Sequence, residues 1–556
     1  LAVTDRGDIF ACGELSSEIL RYRVGADTLQ RAGSIDLGRG RTVRDIAVSR
    51  SDPTGNSTLL YAVDQREGRL ITLRVAENGV GHDGLVVEAR DELPIGHGPI
   101  RVARFGPALV VNCLLDHTVV VMGVDGRGLP QPLDAVRIRH DGPIWSFDAS
   151  AAGGELLLAL GGIEDHPLDR TGGSFGYIDS VLTLYRIALQ GKSPKAVRWA
   201  TVNLSALGVV TPKVIALETL TTGGLRALVT GYGSSAMATL TWPADLGREP
   251  GVTITPLSPG TTSMVTRADG ARLFADPLLD AWLVRTPSGM TTVPVAGAAT
   301  DRPREPSSRL GEALFFTTLM APWNRSEGAL SRFTCESCHF EGHGDGRTHH
   351  TGRGEVHATT KPLRGLFNNR PYFSRALDPD LATVAHNEFR VAGANSGHDP
   401  WFAVRTADFP WLGSLGITDS EVGPLDLRRA LMLFLMDYTH LPNPAAVAGT
   451  GWNRDQRAGA VIFRDHCEGC HQARLDSSDP TSRVRFEEWE GLVMSDAGPL
   501  VWGLDEYRKT GVMPYVHERG ARVPSLRRLH RKFPYFTNGS ARDLDEVIAR
   551  VRFAGD

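Results

Sequence analysis

Cysteine and histidine recur in this chain at one fixed spacing: Cys335-Glu336-Ser337-Cys338-His339 and Cys467-Glu468-Gly469-Cys470-His471 are two copies of Cys-x-x-Cys-His. Two thiols so spaced can add across the two vinyl groups of one porphyrin. A histidine directly after the second thiol is held where its imidazole reaches the iron from the proximal side. With 6 Cys and 17 His in 556 residues, chance placement gives on the order of 0.002 copies of the motif. Two copies therefore predict two covalently attached c-type haems, with Cys335, Cys338, Cys467 and Cys470 as attachment thiols and His339 and His471 as proximal iron ligands. A structural zinc site would bring two Cys pairs, or one pair and two spaced His, onto one ion, whereas each pair here carries its own adjacent His. A thioredoxin-like pair would open the helix of a βαβ unit, but the flanks here close helix-like runs. The other two, Cys12 and Cys113, lie in apolar strand-like segments and read as small buried hydrophobes.

These motifs sit late in a chain too long for a single core, so several domains are expected. A net charge of −4 with 22% charged residues gives no electrostatic footprint for nucleic acid. The longest apolar run, Leu431-Met432-Leu433-Phe434-Leu435-Met436, is far short of the ~18 residues of a membrane span. The sequence starts at Leu1 rather than Met, and c-type haem attachment takes place outside the bacterial cytoplasm. Export to the periplasm or beyond, with a leader removed, is the expectation.

Residues 1–303 are strand-rich and lack helical periodicity. Paired strands such as Leu59-Leu60-Tyr61-Ala62-Val63 with Leu70-Ile71-Thr72-Leu73, or Ala108-Leu109-Val110-Val111 with Val119-Val120-Val121, recur at nearly even intervals, each pair preceded by a further short strand such as Val43 to Val48. One step is wider, where Glu164 to Ser180 reads as a loop insertion. A period of about 45 residues with several strands per unit predicts a β-propeller. Six units are visible and a seventh could be completed jointly by the two ends, giving about seven blades. Regular spacing favours this over a pair of β-sandwiches. A propeller alone names no chemistry, and by analogy it is a platform for docking a partner protein.

After the linker Asp301 to Pro306 the text turns helical and repeats itself. Lys361-Pro362-Leu363-Arg364-Gly365-Leu366…Pro371-Tyr372-Phe373 matches Val523-Pro524-Ser525-Leu526-Arg527-Arg528-Leu529…Pro534-Tyr535-Phe536, each copy downstream of a Cys-x-x-Cys-His. This predicts a tandem of two mainly α cytochrome c domains, 304–445 and 446–556, behind the propeller. Arg364 and Arg527 suit haem propionates, because a guanidinium matches carboxylate geometry; the plainer reading is a surface arginine.

Together with Leu310-Gly311-Glu312-Ala313-Leu314-Phe315-Phe316 ahead of the first motif and Asp543 to Ile548 after the second, these stretches make residues ~305–556 resemble the bacterial di-haem cytochrome c peroxidase and MauG superfamily. The resemblance implies an oxidoreductase that uses hydrogen peroxide, either taking electrons from a redox partner or oxidising a protein substrate, with the N-terminal haem reacting and the C-terminal haem relaying. It also allows a structural calcium ion between the haem domains. His357 stands where the family's peroxidases carry a loop histidine that caps the reactive iron at rest. Where the family has a Gln, a Pro and a catalytic Glu, this chain has Ala382-Thr383-Val384-Ala385-His386-Asn387-Glu388, so His386 and Glu388 are the nearest acid/base candidates. The family's inter-haem Trp is replaced near Phe373. The helix after Gly539 offers no Met or Tyr for the second iron, which leaves Met513 and His517 as distal candidates, a ligand beyond Asp556, or an iron that is five-coordinate and itself reactive. The rival expectation is a di-haem electron-transfer module without catalysis.

Overall fold

The computed structural model describes residues 1–25, 28–49, 57–77, 85–152, 154–165, 178–189, 195–244, 247–295, 304–320, 333–350, 357–366, 372–373, 380–393, 402–439, 452–467 and 529–550, with single positions at 487 and 526. Cys470, His471, Met513, His517 and Arg527 lie outside them, as does most of the expected insertion between Glu164 and Ser180.

Six four-stranded antiparallel sheets, each meandering in chain order, occupy residues 2–36, 43–94, 99–139, 144–203, 212–256 and 263–294. They are the blades of a propeller. The first strands of successive blades, such as Val43–Val48, Pro99–Phe105, Ile144–Ala152 and Pro212–Thr219, neighbour one another and line the axis. Apolar side chains on facing sheets make the joints: Phe10, Ile19 and Ile35 against Leu60, Ile71 and Leu73 between blades one and two, then Val110, Val119 and Val121 against Phe147, Leu156 and Leu158 between three and four. Similar clusters join two to three, four to five and five to six. Among the described residues none joins six to one, and Val265, Trp282 and Val293 of blade six stay exposed.

The expected seventh blade is therefore a correction: there are six. Residues 2–36 complete a four-stranded sheet by themselves, and residues 263–294 complete another, so the ends share no blade.

Among the described residues five α-helices follow: α1 Pro306–Phe316, α2 Leu381–Gly393, α3 Pro424–Asp437, α4 Arg454–His466 and α5 Leu544–Arg550. α1 and α3 cross so closely that a Cβ on Gly311 would collide with the Ala430 carbonyl. Their apolar faces share one core, with Leu314, Phe315, Leu431 and Phe434 joined by Val384 and Phe389 of α2 and by Tyr232 and Leu279 of the propeller.

That shared core is one contact of many at a single axial end of the propeller. The turn between the second and third strands supplies Glu14 and Gln65 to Arg531 in blades one and two, His117 to the Asp345 carbonyl in blade three, and Asp280 to Arg309 in blade six. The N-terminal ends of the first strands of blades two and five add Arg44 and Lys213. The described parts of the C-terminal half thus cap this end.

Candidate functional site

The first Cys-x-x-Cys-His motif lies at the centre of that cap. Thr334 and Ser337 exchange side-chain and backbone hydrogen bonds around the turn Cys335–Ser337, a capping box that fixes both thiols in one tight loop. The loop is closed by the His339 N–H donating to the Cys335 carbonyl at 2.8 Å. Cys335 and Cys338 are both partly accessible and free of disulfides, as thiols that must meet a porphyrin need to be.

His339 Nδ1 lies 2.9 Å from the carbonyl oxygen of Lys361. A carbonyl only accepts, so Nδ1 carries the proton and Nε2 keeps its lone pair for a metal. Burial lowers the imidazole to about 4, keeping it neutral at physiological pH. This tautomer and charge state fit a proximal haem ligand.

Burial pushes the Cys335 thiol well up, and Glu388 is close enough to push it further. On α2 the buried residues Leu381, Val384, Ala385 and Phe389 define one face. At about 100° per residue, Glu388 falls in the middle of that face and His386 on the far side. The two acid/base candidates therefore do not converge, and Glu388 is the one turned toward the motif. Met320, which sequence reasoning missed, puts Sδ 3.3 Å from Cys335 Sγ; fifteen residues upstream of the motif, it carries no spacing signal.

Arg364 Nε donates to the Glu341 carbonyl at 3.0 Å and its guanidinium lies 4.3 Å over the Tyr438 ring, so it braces the motif loop against α3. His357 begins the strand His357–Thr359, paired with Thr348–His350 with the backbone of His350 in register with that of His357. That hairpin receives the C-terminal repeat: the Thr359 N–H donates to Thr537 and the Thr359 hydroxyl to the Phe536 carbonyl, at 2.7 and 3.1 Å. The duplicated Pro-Tyr-Phe has a backbone counterpart, since Phe373 and Phe536 both adopt left-handed conformations with φ of 62° and 63°, rare for a bulky side chain. Cys467 closes the second candidate site's helix, α4, which opens on an Asn453/Gln456 capping box.

Beneath the first motif runs a buried chain of charges. Lys213 pairs with Glu336, which is fully buried, and Arg44 bridges Glu341 to Glu14, which also holds Arg531. Burial raises the Glu336 carboxyl to about 7 against the pull of Lys213. At Glu341 burial is outweighed by Arg44, Lys213 and Arg531, which hold it at about 2.

Cys338, Asp345 and His349 place ligand atoms within 4.8 Å of one another, a grouping that could hold a metal ion. The site already contains a cation of its own. Arg347 Nε donates to Asp345 Oδ2 at 2.7 Å, its Nη2 lies 3.9 Å from Cys338 Sγ, and His349 Nε2 is 3.1 Å from the same carboxylate oxygen. Burial opposes protonation of His349, yet Cys338 and Asp345 raise it to about 10. The Arg347 guanidinium already paired with Asp345 competes with a divalent ion there.

No family model matches this chain, nor does any curated protein. Among solved structures it is similar to the hydrazine synthase of Kuenenia stuttgartiensis, at 15% identity over 53% of this chain and 82% of that one, TM-score 0.38. A functionally unknown protein of Desulfotomaculum acetoxidans matches at 12% over 53% and 84%, TM-score 0.35. The periplasmic gluconolactonase of Pseudomonas aeruginosa matches at 14% over 52% and 96%, TM-score 0.30. Likenesses this distant bear on none of the chemistry. The propeller stands on its own six sheets.

Proposed function

We propose that the chain is an exported di-haem c-type cytochrome that acts as a peroxide-dependent oxidoreductase of the cytochrome c peroxidase or MauG kind. The observation that carries this reading is the pair His339 Nδ1 and Lys361 carbonyl, beside two partly accessible thiols in a Cys-x-x-Cys-His turn. A haem bound there would supply a redox-active iron with one face available to a small oxidant. The chain's own contributions are specific. Cys335 and Cys338 tether the group, and Lys361 fixes the His339 tautomer and raises its basicity. Glu388, on the α2 face toward the motif, is placed to hold and return a proton as an O–O bond breaks. Cys467, Cys470 and His471 would hold the second, relaying haem. Because the C-terminal half covers one axial end of the propeller, a redox partner or protein substrate is assigned to the rest of its surface.

The test is EPR and stopped-flow mixing of the purified holoprotein with hydrogen peroxide and a reduced c-type cytochrome as donor. High-spin iron in at least one redox state and peroxide-dependent donor oxidation support the reading. Two low-spin centres in every redox state, inert to peroxide, overturn it in favour of a non-catalytic electron-transfer module.

A further inference from the structure

A second concave site lies apart from the motif loop, on the rim of the capped end where blades two and three meet the C-terminal segment. It is a cleft of about 530 Å³ whose polar lining is His97, Asp116, Thr118, Arg137, Arg139 and Arg542. That volume is in the range of small-molecule sites.

Arg137 and Arg139 are alternate residues of the strand Pro130–Arg139, so they project from the same sheet face. Arg542 reaches in from the opposite wall. Its guanidinium lies 4.4 Å over the Phe533 ring, which in turn stacks on His97 at 4.2 Å, an arrangement that fixes this wall in place.

The charge of the cleft is unbalanced. Asp116 is its single carboxylate, and His97 already engages it through the backbone N–H at 2.6 Å and Nδ1 at 2.9 Å, with Arg542 Nη2 at 3.5 Å. Arg137 gives one N–H to the Ile95 carbonyl at 3.0 Å, and Arg139 has no carboxylate partner among the described residues. Three permanent cations therefore share one occupied anion. Mutual repulsion among cations held on the walls of one cleft is relieved by an anion with several oxygens, which planar guanidiniums bind in two-pronged fashion.

We infer that this cleft binds a compact multivalent anion bearing phosphate or carboxylate groups, bridging Arg137 and Arg139 of blade three to Arg542 of the C-terminal segment. The ligand would fasten the cap to the propeller at its rim.

Titration calorimetry and thermal unfolding of the full-length protein with inorganic phosphate, against chloride at matched ionic strength, test this. One saturable site and a higher melting temperature in phosphate are expected. Arg137→Gln/Arg139→Gln should weaken binding about tenfold or more, and Arg139→Lys, which keeps the charge but loses the fork, should weaken it less. Both arginines are exposed, so an unchanged circular dichroism spectrum is expected for each variant. Citrate run in parallel, with phosphate binding already required, separates a phosphate-selective site from one that accepts any compact polyanion. Phosphate acting no differently from chloride, or the double variant binding as tightly as the native chain, overturns it. The readout needs no haem, so its failure is distinct from failure of the proposed function.

Discussion

At the scale of single residues, the chemistry turns on which nitrogen of His339 carries a proton. The Lys361 carbonyl settles this by accepting from Nδ1, and on the proposed di-haem reading, substituting His339 by Ala should leave both thioether tethers in place while altering the spectrum of one haem. Resonance Raman or magnetic circular dichroism on the variant checks it. Glu388→Gln should slow peroxide turnover by about 100-fold or more with haem content unchanged, whereas His386→Gln, on the other side of α2, should behave as the native protein. Steady-state kinetics of both variants decide between the two positions. The motif itself was legible because its five residues are consecutive in the sequence. The Lys361 carbonyl was not, since a backbone acceptor 22 residues away has no side-chain signature. Arg364 shows the same limit: its seat on the Glu341 carbonyl and the Tyr438 ring could not be read from its type.

At the scale of elements, the blades were legible in three strands of four. Inner and middle strands such as Ala108–Cys113, buried throughout, write themselves as apolar runs. The outermost strands, such as Leu85–Pro94 and Gly289–Pro294, are exposed along most of their length and so read as loop. With the fourth strand of each unit hidden, the residues at either end looked spare, and a shared seventh blade followed. Blade six also carries a testable cost. Asp276 is buried with Oδ2 unpartnered among the described residues, and burial raises its carboxyl from 3.8 to about 7. The folded state then holds this proton more tightly than the unfolded chain, so stability falls as pH rises from 3.8 to 7 and the full cost persists above 7. Asp276→Asn should stabilise the protein by about 2 kcal/mol above pH 7 and by little near pH 4, as measured by urea unfolding at the two pH values.

At the scale of the whole molecule, the propeller is a seat for the chain's own C-terminal half. Gly346, at a φ of 80°, brings the motif loop against the Leu115 backbone of blade three, where any Cβ would intrude. Lys213 reaches from blade five to the buried Glu336 inside the motif. Removing one partner of such a pair leaves the other charge stranded, so Lys213→Met should destabilise the protein by about 3 kcal/mol, and adding Glu336→Gln should recover much of it. Denaturant unfolding of the single and double variants checks the coupling. None of this docking was legible in sequence, since Lys213 and Glu336 are separated by 123 positions and neither belongs to a local pattern. The proposed peroxide chemistry requires a porphyrin joined to each thiol pair, and intact-mass spectrometry of the purified native protein, with peptide mapping, addresses that directly. Two haems, one on Cys335/Cys338 and one on Cys467/Cys470, are the expected result, and a polypeptide of unmodified mass with four free thiols at those positions would contradict it.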